Sequence, residues 1–103
     1  RLFSSSPAEA LPWLKEGAAA GHVDAMAQLG EAYYAGQGIR VSKLEALRWF
    51  RAAAKCGHKA AAGRAARMLD KGDGVLANKD EARKWAELAG EKGSLFSLLK
   101  LKR

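Results

Sequence analysis

Between residues 43 and 56 the apolar positions fall at Ala46, Trp49, Phe50, Ala53 and Ala54, the three-and-four spacing of one helix face. Arg48, Arg51 and Lys55 fall on the opposite side and are expected to face water. The stripe returns later as Ala82, Trp85, Ala86 and Ala89. In 24–35 it consists of Ala25, Leu29, Ala32 and Tyr33, with Gly30 beside it allowing a partner helix to come close.

These stripes belong to a single period. Trp13, Trp49 and Trp85 lie 36 residues apart, as do Gly21, Gly57 and Gly93, and Glu9, Glu45 and Glu81. His22 recurs as His58, Gly36 as Gly72, Gly38 as Gly74 and Lys43 as Lys79, without insertion or deletion. Self-similarity of this length marks a helical-repeat array, in which each unit buries its apolar face by stacking on its neighbours. The expected fold is all-α, an α/α superhelix, or solenoid, of antiparallel helix pairs. Such arrays serve as extended binding surfaces.

Helix starts repeat in register. Ser6, Ser42 and Asn78 each stand three residues before a glutamate (Glu9, Glu45, Glu81), the spacing of a capping box. Pro7 sits at a first helical position, where proline is tolerated. Helices are expected at about 7–20, 43–56 and 79–92, ending at Gly21, Gly57 and Gly93. Two more, at about 24–35 and 60–71, end in the pairs Gly36-Gln37-Gly38 and Gly72-Asp73-Gly74, which permit a tight reversal. A short helix at about 94–101 would complete one repeat domain over 1–103.

Alanine richness and only two prolines fit close helix packing rather than a sheet. No apolar run reaches the roughly 18 residues of a membrane span. The chain opens at Arg1 rather than Met, which suggests a fragment or processed form and leaves cytoplasm and periplasm both open. Net charge is +7, which invites an anionic partner. Much of the excess lies in Arg48, Arg51, Lys55, Lys59, Arg64, Arg67 and Lys71, against the single acid Asp70 in that stretch.

Candidate chemistry changes this picture little. The periodic tryptophans sit among alanines at helical spacing and are expected to be core. The two histidines follow helix-ending glycines without further ligands at metal spacing, so no metal site is expected, and they should pack in the turn or cap the preceding helix. Gly72-Asp73-Gly74 lacks the companions of a phosphate or calcium loop and is assigned to a turn. Cys56 has no His and Asn arranged for nucleophilic chemistry and is expected to be a small buried hydrophobe. Asp80 and Glu81 belong to a helix's first turn. No active site and no cofactor are expected.

The pattern Ala25-x-x-x-Leu29-Gly30-x-x-Tyr33-x-x-Gly36-x-Gly38-Ile39, followed by Ala46-x-x-Trp49-Phe50-x-x-Ala53-Ala54-x-x-Gly57-His58, resembles a Sel1-like repeat, a relative of the tetratricopeptide repeat common in bacteria. The resemblance covers about residues 7–94. The first unit begins at its second helix, and the third replaces Leu29, Gly30 and Tyr33 with Ala65, Ala66 and Leu69. It implies a non-catalytic scaffold that binds a protein or peptide partner in a concave groove. Carried over, the groove positions are Asp24, Ala27, Glu31, Tyr34 and Ala35, then Ala60, Gly63, Arg67, Asp70 and Lys71, with Gln28 and Arg64 on the rim. Tyr34 is the expected anchor.

The alternative is anion binding, to nucleic acid or an acidic surface, through Arg48, Arg51, Lys55, Arg64, Arg67 and Lys71. It is the weaker reading, since a charged outer face also keeps alanine-rich helices soluble. A hydrolase ranks third, with no constellation to support it. Finally, Leu95, Phe96, Leu98, Leu99 and Leu101 exceed one narrow stripe, so the tail is expected to cover Trp85 and Ala89 and to self-associate or dock further sequence.

Overall fold

The computed structural model describes residues 7–90, with side chains from Leu11 onward. Five helices follow in order: α1 (Pro7–Ala19), α2 (Val23–Ala35), α3 (Lys43–Lys55), α4 (Lys59–Lys71) and α5 (Lys79–Leu88). There is no strand among the described residues. Each helix packs chiefly on its chain neighbours, α1 on α2, α2 on α3, α3 on α4 and α4 on α5, which is the solenoid arrangement of antiparallel pairs.

Short local signals set the starts and stops. Ser42 Oγ accepts from the Glu45 amide at 3.2 Å, and Asn78 Oδ1 from the Glu81 amide at 3.0 Å. The other half of the expected capping box is absent. The amides of Ser42 and Asn78 instead donate to the carbonyls of Tyr33 and Leu69, both at 2.9 Å. With those N–H groups satisfied by the preceding helix, both glutamates are released for ion pairs. At the far ends, Gly36 and Gly72 adopt φ of +75° and +73°, a left-handed stop that glycine takes without a Cβ penalty.

The helix expected at 79–92 stops at Leu88. Gly90, at φ +79°, stands where the preceding unit has Ala54, and its left-handed backbone ends the helix early. Gly93, the segment 94–101 and the tail residues Leu95, Phe96, Leu98, Leu99 and Leu101 lie outside the described residues.

Two core clusters result, one centred on α1 and α2 and the other running from α2 to α5. Phe50, Leu29, Leu47 and Leu69 are the largest fully buried side chains, set among alanines that bring the helices close. Gly30 is required by Phe50: a Cβ there would lie 2.8 Å from the ring's Cε1. In the third unit the same two positions are Ala66 and Ala86, so one methyl on each side replaces the ring facing nothing.

Three expectations about packing fail. Trp13 is 73% exposed, whereas Trp49 and Trp85 are half-buried at the edges of the clusters. Trp85 lies on its edge because its indole N–H must be satisfied, and it donates to Glu81 at 2.8 Å. Leu47, absent from the expected stripe, is buried because α3 is flanked by both α2 and α4; its counterpart Arg83 on α5 is exposed. Cys56 is exposed at the C-cap of α3, where the chain leaves the packed helix.

Candidate functional site

The groove residues separate into those the fold brings together and those it does not. Tyr34 lies at the end of α2 and Arg64, Arg67 and Lys71 lie along one side of α4. With Met68 and Asp73 they line an indentation of about 170 Å³. Arg67 and Lys71 are exposed, while Tyr34 and Arg64 are half-buried.

Tyr34 is held rather than free. Lys43 Nζ and Arg64 Cζ lie 4.6 and 4.7 Å from its ring centre, distances at which a cation is attracted to the π face. Its hydroxyl donates to Asp73 Oδ2, and Lys43 Nζ donates to Asp73 Oδ1 at 2.8 Å. Gly74 makes this possible, since any Cβ there would collide with the Lys43 side chain. The bonds from Lys43 and then Tyr34 hold the Asp73 carboxyl below its ordinary value. The bond to Asp73 raises both the Tyr34 phenol and the Lys43 ammonium. Tyr34 is therefore a strut between one unit and the turn of the next, and it also lines the indentation.

Arg64 is tied to the preceding unit by Glu31 at 3.1 Å and lies 5.2 Å from the Phe50 ring centre. Asp70 turns away and pairs with Lys79 at 3.1 Å. Asp24 stands exposed at the other end of α2, 3.7 Å from His58 Nε2. Gln28, Ala35 and Ala60 are exposed, but Ala27 and Gly63 are buried, because the helices approach at those positions.

His58 does not cap the preceding helix. Its Nδ1 accepts from the Ala61 amide at 3.0 Å and caps the start of α4, while His22 makes no such bond at the start of α2. Among the described residues no three His, Cys, Asp or Glu side chains are grouped to hold a metal.

The basic outer face is also altered. Arg48 pairs with Glu45 at 3.1 Å along its own helix. Arg51 is half-buried, since its Nε and Nη2 donate to Glu81 at 2.6 and 2.8 Å, a bidentate link from α3 to α5. Burial pushes the Glu81 carboxyl upward as the largest single influence, but the bonds from Arg51 and Trp85 with the charges of Arg51 and Lys84 together hold it below its ordinary value. Lys55 remains exposed. Of the three cations expected to face water on this helix, Arg48 and Arg51 are thus paired with acids.

Met68 and Asp73, which line this indentation, and Lys43, which bonds Asp73, are not singled out by the spacing. Spacing assigns Asp73 to a turn, which holds for its backbone and says nothing of its side chain. A signal was present: the turn reads Gly-Gln-Gly in one unit and Gly-Asp-Gly in the next, a charge introduced against an otherwise constant frame.

Comparison with known proteins agrees with this architecture. The Sel1 repeat model matches residues 4–22, 23–58 and 59–94. No curated protein matches the sequence. Among solved structures, a Sel1 repeat protein from Oxalobacter formigenes is 32% identical with a TM-score of 0.78, over 82% of this chain and 35% of that one. A protective antigen present in uropathogenic Escherichia coli strains, displaying an SLR fold, is 35% identical with a TM-score of 0.79, over 91% of this chain and 20% of that one. The chain thus spans about a third and a fifth of the lengths of these two bacterial proteins. No helix among the described residues is long and apolar enough to cross a membrane. With three successive matches in register and the helix pairs to go with them, the chain belongs to the Sel1 repeat family.

Proposed function

We propose that this chain is a non-catalytic interaction module that binds a protein or peptide partner across the face lined by α2 and α4. Sel1 repeats are commonly protein–protein interaction modules. One observation carries the reading to a place on this chain. The indentation is assembled from two successive units, Tyr34 from one and Arg64, Arg67, Lys71 and Asp73 from the next. A surface built across a repeat junction suits an extended ligand, which can contact several units at once. Ala35 and Ala60, on the same two helices, are exposed.

Site-specific photo-crosslinking in the source cells tests this. A photoreactive phenylalanine analogue at Ala35 or Ala60 should yield a discrete adduct to another protein, whereas the same analogue at Arg83 on α5 should not. Equal labelling from all three positions, or from Arg83 alone, would move the binding face elsewhere.

A further inference from the structure

We propose that the indentation between Tyr34 and Lys71 selects an acidic peptide segment and takes one of its Asp or Glu carboxylates. This rests on the interaction-module reading and adds the chemistry of the partner.

Charge is the first argument. Arg64, Arg67 and Lys71 bring three cations to the indentation; the acids beside them are Asp73, which Lys43 and Tyr34 already engage, and Glu31, which pairs with Arg64. Arg64 is fixed by Glu31 on one side and by the Tyr34 and Phe50 rings beneath it, so its guanidinium is pre-oriented. Shape is the second. Met68, only 3% exposed, and the Tyr34 ring supply apolar lining for a side-chain stem, and about 170 Å³ suits a carboxylate with its methylenes.

The third argument is the pattern of departures from the 36-residue period. Several positions that build the frame repeat, Ala46 and Ala82, Trp49 and Trp85, Gly36 and Gly72, although buried Leu29, Leu47 and Phe50 do not. Those that charge the indentation do not. Arg64, Arg67 and Lys71 correspond to Gln28, Glu31 and Ala35 in the preceding unit, and Asp73 to Gln37. The scaffold folds with either set, so the packing of the repeat does not require the cations.

A phosphate backbone is served less well by this surface. It needs cations spaced along a track, and Arg48 and Arg51, which would have to extend one, lie on α3 outside the lining of the indentation. The observations favour a compact anionic group on a peptide over a nucleic-acid strand.

Selection of a random decapeptide display library on the immobilised full chain tests the proposal, with Lys71→Gln and the double variant Arg67→Glu, Lys71→Glu in parallel. Far-ultraviolet circular dichroism checks that both variants remain helical. Peptides selected by the parent chain should be enriched in Asp and Glu. Replacing their acids with the amides should weaken binding roughly tenfold or more, the scale of a lost charge-assisted hydrogen bond. Lys71→Gln should weaken it by a smaller factor, and the charge-reversed variant should lose the acidic consensus. Selected peptides without acidic enrichment, indifferent to both variants, would overturn the proposal and leave the interaction module standing. No enrichment over blank support would overturn the module as well. Oligothymidylate retained more tightly than every acidic peptide, and released by the double variant, would overturn the proposal in favour of nucleic acid.

Discussion

Gly30→Ala sets helix propensity against packing. Replacing a glycine inside a helix contributes about 1 kcal/mol on propensity alone. Here the new Cβ would lie 2.8 Å from Phe50 Cε1, 2.9 Å from Cδ1 and 3.2 Å from Cζ. The ring is 1% exposed and its neighbours are buried, so it has little room to withdraw. Overpacking of this kind costs about 1–3 kcal/mol. Packing should prevail, leaving a net loss of about 1 kcal/mol. In a Phe50→Ala background all the ring atoms that the new Cβ would meet are gone, and the same substitution should stabilise by about 0.5–1 kcal/mol. The coupling between the two positions then amounts to about 1.5–2 kcal/mol, well above the scatter between independent sites. The third unit supports the sign, since Ala66 and Ala86 occupy the corresponding positions at 0% and 2% exposure. Urea unfolding of the four chains, followed by far-ultraviolet circular dichroism, measures the cycle. If Gly30→Ala has the same effect in both backgrounds, the ring is not what requires the glycine, and the reasoning fails.

The junction bonds give three further expectations. Glu81→Gln should cost about 1–2 kcal/mol, because it weakens a partly buried bidentate pair with Arg51. The Glu81 carboxyl is held below its ordinary value, so its contribution is complete above the ordinary carboxylate range and lost as pH falls through the depressed folded value; denaturation midpoints across acid pH should lose this step in Glu81→Gln, and an unchanged profile would count against the link. The Tyr34 phenol is raised by its bond to Asp73, so that bond contributes fully below the unfolded phenol value and is lost as pH rises through the folded one. An absorbance titration of phenolate should show a late tyrosine step that Asp73→Asn moves to lower pH, and a step that stays in place would remove the strut. His58→Ala should cost about 1 kcal/mol by deleting the cap on α4, while His22→Ala should cost almost nothing, since His22 makes no cap bond; equal thermal shifts for the two would contradict the assignment.

Period, helix order and turn positions were legible in the chain because each is local chemistry. A capping side chain reaches three residues, a glycine takes its left-handed backbone by itself, and a stripe at helical spacing needs no partner to be recognised. The exceptions were local too: Gly90 in place of an alanine ended α5 early, and the break was visible against the period. Spacing directs Arg51 outward, because it gives a direction from the helix and not a partner; Glu81 is 30 residues away and comes within reach only when α5 is in place. The same holds for Tyr34 and Asp73, 39 residues apart, and for Glu31 and Arg64. Trp13 and Trp49 share a register position, yet Trp13 is exposed and Trp49 is half-buried beside the α1–α2 cluster. Sequence alone determined that these helices would pair and in what order, since propensity, capping and hydrophobic period are written within a few residues. Tertiary structure alone decided which charges are engaged between units and which line the indentation. A side chain's direction is set by its own helix, but its partner is set by how successive units stack.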